Sequence, residues 1–596
     1  MTKISNGVRH QHKFGFLILI TVAALVGGLA ACTKRSATGA GGVSAPKERV
    51  FRYRSQGKIS TLDPHMVVDV YSEVANAAVA EPLYGYHPFK RPLSLEPLLA
   101  AEMPVFSKDK KTVTIALKKG IHFQDDPCFA ANNGIGRELK ASDVVYSFER
   151  LASAKMIGAR GYEDLSEKVV GMEAYHKGQA PTIAGIKAVD DYTVQFQLVN
   201  VFPRFIMSLT TATTAIVPKE CVEKYGEEFS RHPVGTGPFK VVQADLSSKV
   251  VYQRNPKYTT KKIPTDVVPA GFDAKAAGDG TLPLLDKFIV EVIVESQPAW
   301  LKFLSGELDW LTIPKDSVAV AVSKEGKPTG DLAKTGAQLF REPGADVVTI
   351  IFNMKDPVWG KNKLLRQAVA FAVDYDKLIE LGYAGQAVKA QSIVDPSQYG
   401  YDDQFKSQAP KRDLAKAKAL LAQAGYPDGK GLAPIEVAGY DGTDQRNIME
   451  VIKRSLEEAG LQLKMEVSTW PEFLVRTRQQ KFQMVMLGWG STVPDVEASM
   501  SCVDSRYIAS GQNPAAYANP TLDGIMKKVR TLENGPERLA LIKQFKDILD
   551  DDMPMIAIIH RVRSQVVQSW IKNYVFLDEV HLGWFAKYLD SSVVKK

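Results

Sequence analysis

One apolar run decides where this chain must fold. Residues 14–31 read FGFLILITVAALVGGLAA and end at Cys32. Lys3, Arg9 and Lys13 precede the run, with no acidic residue among them. A basic start, a short apolar core and small residues at its close make a secretory signal. No later stretch approaches 18 apolar residues, so everything after Cys32 is expected to fold in water, outside the cytoplasm. The alternative is a plain signal anchor, which Gly15, Gly27 and Gly28 weaken as a membrane helix.

The ending Leu29-Ala30-Ala31-Cys32 resembles a bacterial lipobox. That resemblance implies that residues 1–31 are removed and that Cys32 carries a diacylglyceryl group as the first mature residue. Residues 33–48 lack periodicity and are rich in Gly, Ser and Ala, so 32–48 reads as a lipidated cysteine on a flexible tether. Loss of the leader would leave 565 residues, room for several domains, and would lower the formal charge from +8 to +5. Basic residues are scattered, with no dense Lys/Arg block, so no nucleic-acid partner is expected.

Catalytic motifs are missing. The histidines after the leader are 65, 87, 122, 176, 232, 560 and 581, and no two stand at HxxH or HxxxH spacing. No GxSxG elbow, P-loop or CxxC occurs, and neither a metal, a cofactor nor an enzymatic activity is expected. Gly235-Thr236-Gly237-Pro238 reads as a tight turn and not a phosphate cradle, because Pro238 removes a backbone donor. Cys128, Cys221 and Cys502 permit one disulfide and leave one thiol, with the pairing open.

Strand and helix patterns alternate from residue 50 onward. Residues 113–117 alternate as a strand, and 347–352 and 484–487 are apolar runs suited to buried strands. Residues 143–150 open a helix with Ser142 as its expected N-cap. Residues 413–424 make the cleanest helix: Asp413 caps it, and Gly425 and Pro427 stop it. Residues 364–373 and 448–459 are two further amphipathic helices. The class is α/β.

The chain also carries short segments in a fixed order: STLDPH (60–65), EPLY (81–84), LKKGIHF (117–123), ASDVVYSFER (141–150), PVGTGPF (233–239), RNPKY (254–258), LSGELD (304–309), LRQAVAFAVD (365–374) and AKALLAQAGYP (417–427). Together they resemble the family 5 solute-binding proteins of ABC importers, the class that holds dipeptide- and oligopeptide-binding proteins. The likeness runs from about residue 50 to 590. An insertion at 125–139 departs from the usual pattern. The resemblance implies a two-lobed periplasmic-binding-protein-like fold (type II, cluster C), with an extra subdomain in lobe I and two interlobe crossing strands. Lobe I is expected at 49–342, with its subdomain at about 87–214, lobe II at 343–557, and a return segment of lobe I at 558–596. The crossings are expected near 343–349 and 554–560.

A cleft for a polar solute needs an aromatic wall and a few fixed polar groups. Trp489 follows the buried run 484–487 and is expected at a strand end facing the cleft. In peptide-binding relatives this segment runs Trp-x-x-Asp, and that aspartate holds the peptide's α-amino group; here the matching position is Thr492. A hydroxyl cannot neutralise an ammonium; Asp495, three residues on, is either the substitute or a solvated or loop-capping carboxylate. Tyr84 either lines the lobe I face or packs in the core. Asn353 either bonds ligand or caps the next turn, and His560 sits on the return crossing as a ligand-facing or packed residue. The expected function is extracytoplasmic capture of a peptide or similar polar solute by a lipid-anchored monomer, with delivery to ABC permease and ATPase subunits. The alternative is a non-transport sensor or chaperone-like binding module on the same fold. The anchored membrane is left open, since Thr33 stands where an inner-membrane retention aspartate would be.

Overall fold

A single long strand, Met555–Val567, organises the molecule. Thirteen residues at about 3.3 Å each make it roughly 43 Å long, long enough to serve two bodies. Its first half pairs with Asp346–Phe352 (Ile351 opposite Met555) and its second half with Gln338–Pro343 (Pro343 opposite Val562). The computed structural model describes residues 48–596 except 91–92, 157–159, 269–271, 273–279, 324, 491–492, 577–585 and 592–596. Cys32 with its signal and tether, and Thr492, lie outside the described residues.

The sheet spreads from that strand in both directions. On one side stand Asp346–Phe352, Met484–Gly490, Ile435–Tyr440 and Leu463–Ser468; on the other, Trp310–Thr312, Val50–Ser55, Lys287–Val292, Lys249–Arg254 and Phe239–Asp245. The central strands have the β-branched, near-continuous apolar character of strands buried on both faces: all seven residues of Asp346–Phe352 are buried. Helices cover them, as the apolar spacing predicts. Asp413 caps Leu414–Gln423 by accepting the Lys416 N–H at 2.9 Å, and Ala417, Leu420 and Leu421 are buried. The helix expected from 143 begins earlier, as Ala141–Ala152. Its N-cap is Lys140, not Ser142, because the Asp143 carboxylate reaches back to the Lys140 N–H at 2.9 Å.

The result is a two-lobed α/β binding-protein fold of type II, with two crossings between lobes. The extra subdomain of lobe I has its own sheet, in the order Val105–Phe106, Thr112–Ala116, Thr193–Gln197, Ile186–Asp190. It also has its own core around Val113, Ile115, Phe148 and Phe196. The insertion is tied down: a disulfide joins Cys128 to Cys221 on the helix Lys219–Tyr225, and Cys502 is free and buried. The 235–238 turn packs backbone against backbone. A Cβ on Gly235 or Gly237 would stand 2.2 or 2.4 Å from the Val79 carbonyl oxygen, and the Gly237 N–H donates to that oxygen at 2.8 Å. Among the described residues no helix is long and apolar enough to cross a membrane.

Candidate functional site

The STLDPH segment proves to be a clasp. Arg150, from the subdomain helix, donates to Asp63 Oδ1 at 2.8 Å and to His65 Nδ1 at 2.9 Å, while His65 Nε2–H donates to the Ala215 carbonyl at 2.9 Å. That tautomer leaves a neutral imidazole. Complete burial, helped by the neighbouring guanidinium, lowers its pKa to about 4.

Beyond this clasp, residues 77–86 form the lobe I wall. Glu81 is buried and accepts hydrogen bonds from Thr236 (3.1 Å), Tyr258 (3.0 Å) and Thr260 (2.9 Å), with the Lys587 ammonium 3.7 Å away. Burial lowers the pKa of Lys587, and takes that of Lys118, which donates to the Thr260 carbonyl at 2.8 Å, down to about 8. Above this polar floor opens a small cavity of about 50 Å³. Ala80, Glu81, Tyr84, Tyr86, Thr210 and Lys587 are among the residues that line it. Tyr84 is fully buried in the strand Tyr84–Tyr86, and its hydroxyl donates to the Glu102 carbonyl at 3.2 Å. It therefore packs in the subdomain core while bordering the cavity. Tyr86 is pushed up to about 12, chiefly by burial, with the negative charge of Asp495 adding to it. Arg204, which precedes the turn Phe205–Leu209, stands 3.7 Å from Asp495 and places this side of lobe I beside lobe II.

On the lobe II side, Trp489 stands opposite Val347, half-buried, and its indole N–H is buried without a hydrogen-bond partner. His560 donates from Nδ1 to the Asp346 carbonyl at 2.8 Å, which leaves Nε2 as a lone-pair acceptor, buried and without a partner. The Tyr401 ring meets its edge at 6.1 Å between centroids. Burial lowers the His560 pKa, so the ring stays neutral. Trp489 and His560 thus flank the start of Asp346–Phe352 from its two neighbouring strands. Asn353 does not join them. It sits past the far end of that strand, six residues and roughly 20 Å from Val347. Its amide caps the turn, donating to the Gln480 carbonyl at 2.8 Å and accepting the Lys355 N–H at 3.0 Å.

Asp495 departs most from expectation. Its side chain is 1% exposed and is held bidentate by Arg538, itself 0% exposed, at 2.8 and 2.6 Å. The carboxylate is committed to that guanidinium. Sequence reasoning missed Arg538, which lies 43 residues on in the helix Pro536–Asp552. Nothing in its local pattern separates it from a solvated helix arginine. Cys502, buried with its thiol pushed up to about 12, offers no nucleophile.

Two lobes, two crossing strands and a walled cavity define a solute-binding protein, a class that holds its ligand without changing it. The chain belongs to the bacterial extracellular solute-binding proteins, family 5, whose middle-region model matches residues 94–509. It is similar to the dipeptide-binding protein of Escherichia coli K12, with 27% identity over 488 residues, 80% of this chain and 83% of that one. It is also similar to heme-binding protein A of Haemophilus influenzae, 25% identical over 492 residues, covering 81% and 82%. Among solved structures it resembles the unliganded open form of the murein tripeptide-binding protein MppA (TM-score 0.71, 18% identity, 91% and 98% covered). It also resembles DppA of Helicobacter pylori in complex with the peptide STSA (TM-score 0.69, 24% identity, 91% and 98% covered). The relatives are binding components of transporters, and the chain is a binding protein, not an enzyme.

Proposed function

We propose that this chain is a lipid-anchored, extracytoplasmic receptor that captures a peptide or similar polar solute between its lobes and delivers it to an ABC permease. Two observations support this: the lobe I cavity with its buried polar floor, and, at the start of Asp346–Phe352, the buried unpaired polar atoms of Trp489 and His560. Unpaired buried groups are costly unless a ligand completes them. Ligand affinity would favour the closed form over an open one. Lobe I at 49–342, lobe II at 343–557 and the return at 558–596 form the working units, with the crossings near 343–349 and 554–560 as hinge. The cysteine at 32 fixes the receptor to a membrane near its permease and ATPase subunits, where tethering raises its effective concentration.

The committed Asp495 shapes the cargo. Among the described residues of the Trp489 segment no carboxylate is free to hold an ammonium, so a peptide's α-amino group is not expected to be the anchor. The test is a thermal-shift screen with peptides, N-blocked peptides, oligosaccharides, heme and metal chelates. A ligand at 100 times its dissociation constant adds about 2.7 kcal/mol of stability, a visible rise in melting temperature. A flat response across the whole panel, together with unchanged solute uptake in a deletion strain, would sink the receptor reading.

A further inference from the structure

One side chain of lobe I reaches deep into lobe II. Arg204 leaves lobe I at the mouth of the short turn Phe205–Leu209, where Phe205, Ile206 and Leu209 are set in the subdomain core. Its side chain, 10% exposed, ends among lobe II groups. It donates to the carbonyls of Leu532 (2.8 Å), Val529 (3.0 Å) and Arg530 (2.7 Å), pairs with Glu497, and stands 3.7 Å from Asp495. Those carbonyls close the twelve-residue helix Pro520–Thr531. They are acceptors the helix cannot satisfy itself, at its negative end, where a cation is favoured.

Arg538 of lobe II shares this nest, bonding Val529 O at 3.0 Å and reaching Glu497 at 3.5 Å. Two carboxylates therefore meet two guanidiniums, and the charge balances only while the lobes are together. If Arg204 withdraws, lobe II keeps Asp495, Glu497 and a row of free carbonyls against one cation. Burial already raises the pKa of Glu497 while the arginines lower it, so that carboxylate depends on its cations to stay ionised. A second interlobe ion pair, Lys110 to Glu533 at 2.9 Å, is about half exposed on both sides (48% and 63%) and is screened by water.

We propose that Arg204 is an interlobe latch: a positioning residue that holds the closed form through the Glu497 carboxylate and the end of helix Pro520–Thr531, whether or not cargo is present. Its purpose rests on the capture reading, but its test needs no cargo. Cysteines introduced at the exposed positions of one lobe (Lys187→Cys) and the other (Lys527→Cys) carry spin labels in a Cys32→Ser background, while Cys502 stays buried and Cys128 and Cys221 are bonded. Distances are then read in protein stripped of ligand by unfolding and refolding. Arg204→Ala is expected to lower the closed-to-open ratio at least about tenfold, since losing one partner of a hydrogen-bonded buried charge commonly costs more than the tenfold equivalent. Arg204→Lys, with the charge but not the fork, falls between. Lys110→Ala leaves the distribution in place, and Arg204→Glu is partly restored by Glu497→Arg. Identical distributions for Arg204→Ala and the unaltered chain, whether both closed or both open, would overturn the latch. A working latch in a protein that never binds a solute would instead refute the receptor reading alone.

Discussion

Replacing Asp495 by alanine separates a structural carboxylate from a ligand contact. The side chains of Asp495 and Arg538 are 1% and 0% exposed, and two short hydrogen bonds join them. Asp495→Ala would leave the Arg538 guanidinium buried with the Val529 carbonyl, the Asn534 side chain at 2.8 Å and a 3.5 Å contact to Glu497. Breaking such a pair from one side costs about 3–5 kcal/mol, and the surviving contacts favour the lower end. At about 2–4 °C per kcal/mol for a unit of 150–250 residues, the melting temperature falls by roughly 6–20 °C. Removing both charges together, as Asp495→Leu with Arg538→Met, costs less than Asp495→Ala alone, because no orphan charge remains. Differential scanning calorimetry on the three proteins measures this directly. A drop of under about 2 °C, with ligand binding lost, would show that the carboxylate serves cargo and that the reasoning is wrong.

Two more outcomes follow from buried groups. His65 stays neutral in the folded chain down to about pH 4, whereas the unfolded chain protonates it near 6.5. The unfolded state then binds the extra proton, so stability is lost as pH falls from about 6.5 towards 4, by roughly 3 kcal/mol from this group. Urea unfolding at pH 7 and 4.5 should show that His65→Gln flattens this slope; an equal slope in both proteins would contradict it. Alkylation without reductant should leave Cys128 and Cys221 unmodified, and Cys502 unreactive until the chain unfolds. Opening a bridge that spans 93 residues should cost about 2–5 kcal/mol, read from the urea midpoint of Cys128→Ser.

What the sequence discloses is what local physics controls. Asp413, Gly425 and Pro427 bracket the helix Leu414–Gln423 because caps and breakers act within a turn. The run at 347–352 is a strand because all its residues are buried on both faces. Ordered short segments carry the topology, and the long strand Met555–Val567 pairs with Asp346–Phe352 along one half and with Gln338–Pro343 along the other. The site's chemistry depends instead on partners far apart in the chain. Arg538 captures Asp495 from 43 residues away, Arg204 reaches Glu497 from 293 residues away, and Cys128 selects Cys221 over Cys502 through the placement of one loop against one helix. Asn353 takes the second of its two expected roles, capping the turn after its strand, and the register sets it roughly 20 Å from Val347.

The central claim, reversible capture of a solute between two lobes, is most directly tested by native mass spectrometry of the protein purified from its own envelope without refolding. The account predicts a mass above that of the bare chain, with a small polar molecule released on denaturation and restored by adding it back. A native mass equal to the denatured mass, with no candidate solute able to change it, would contradict the account.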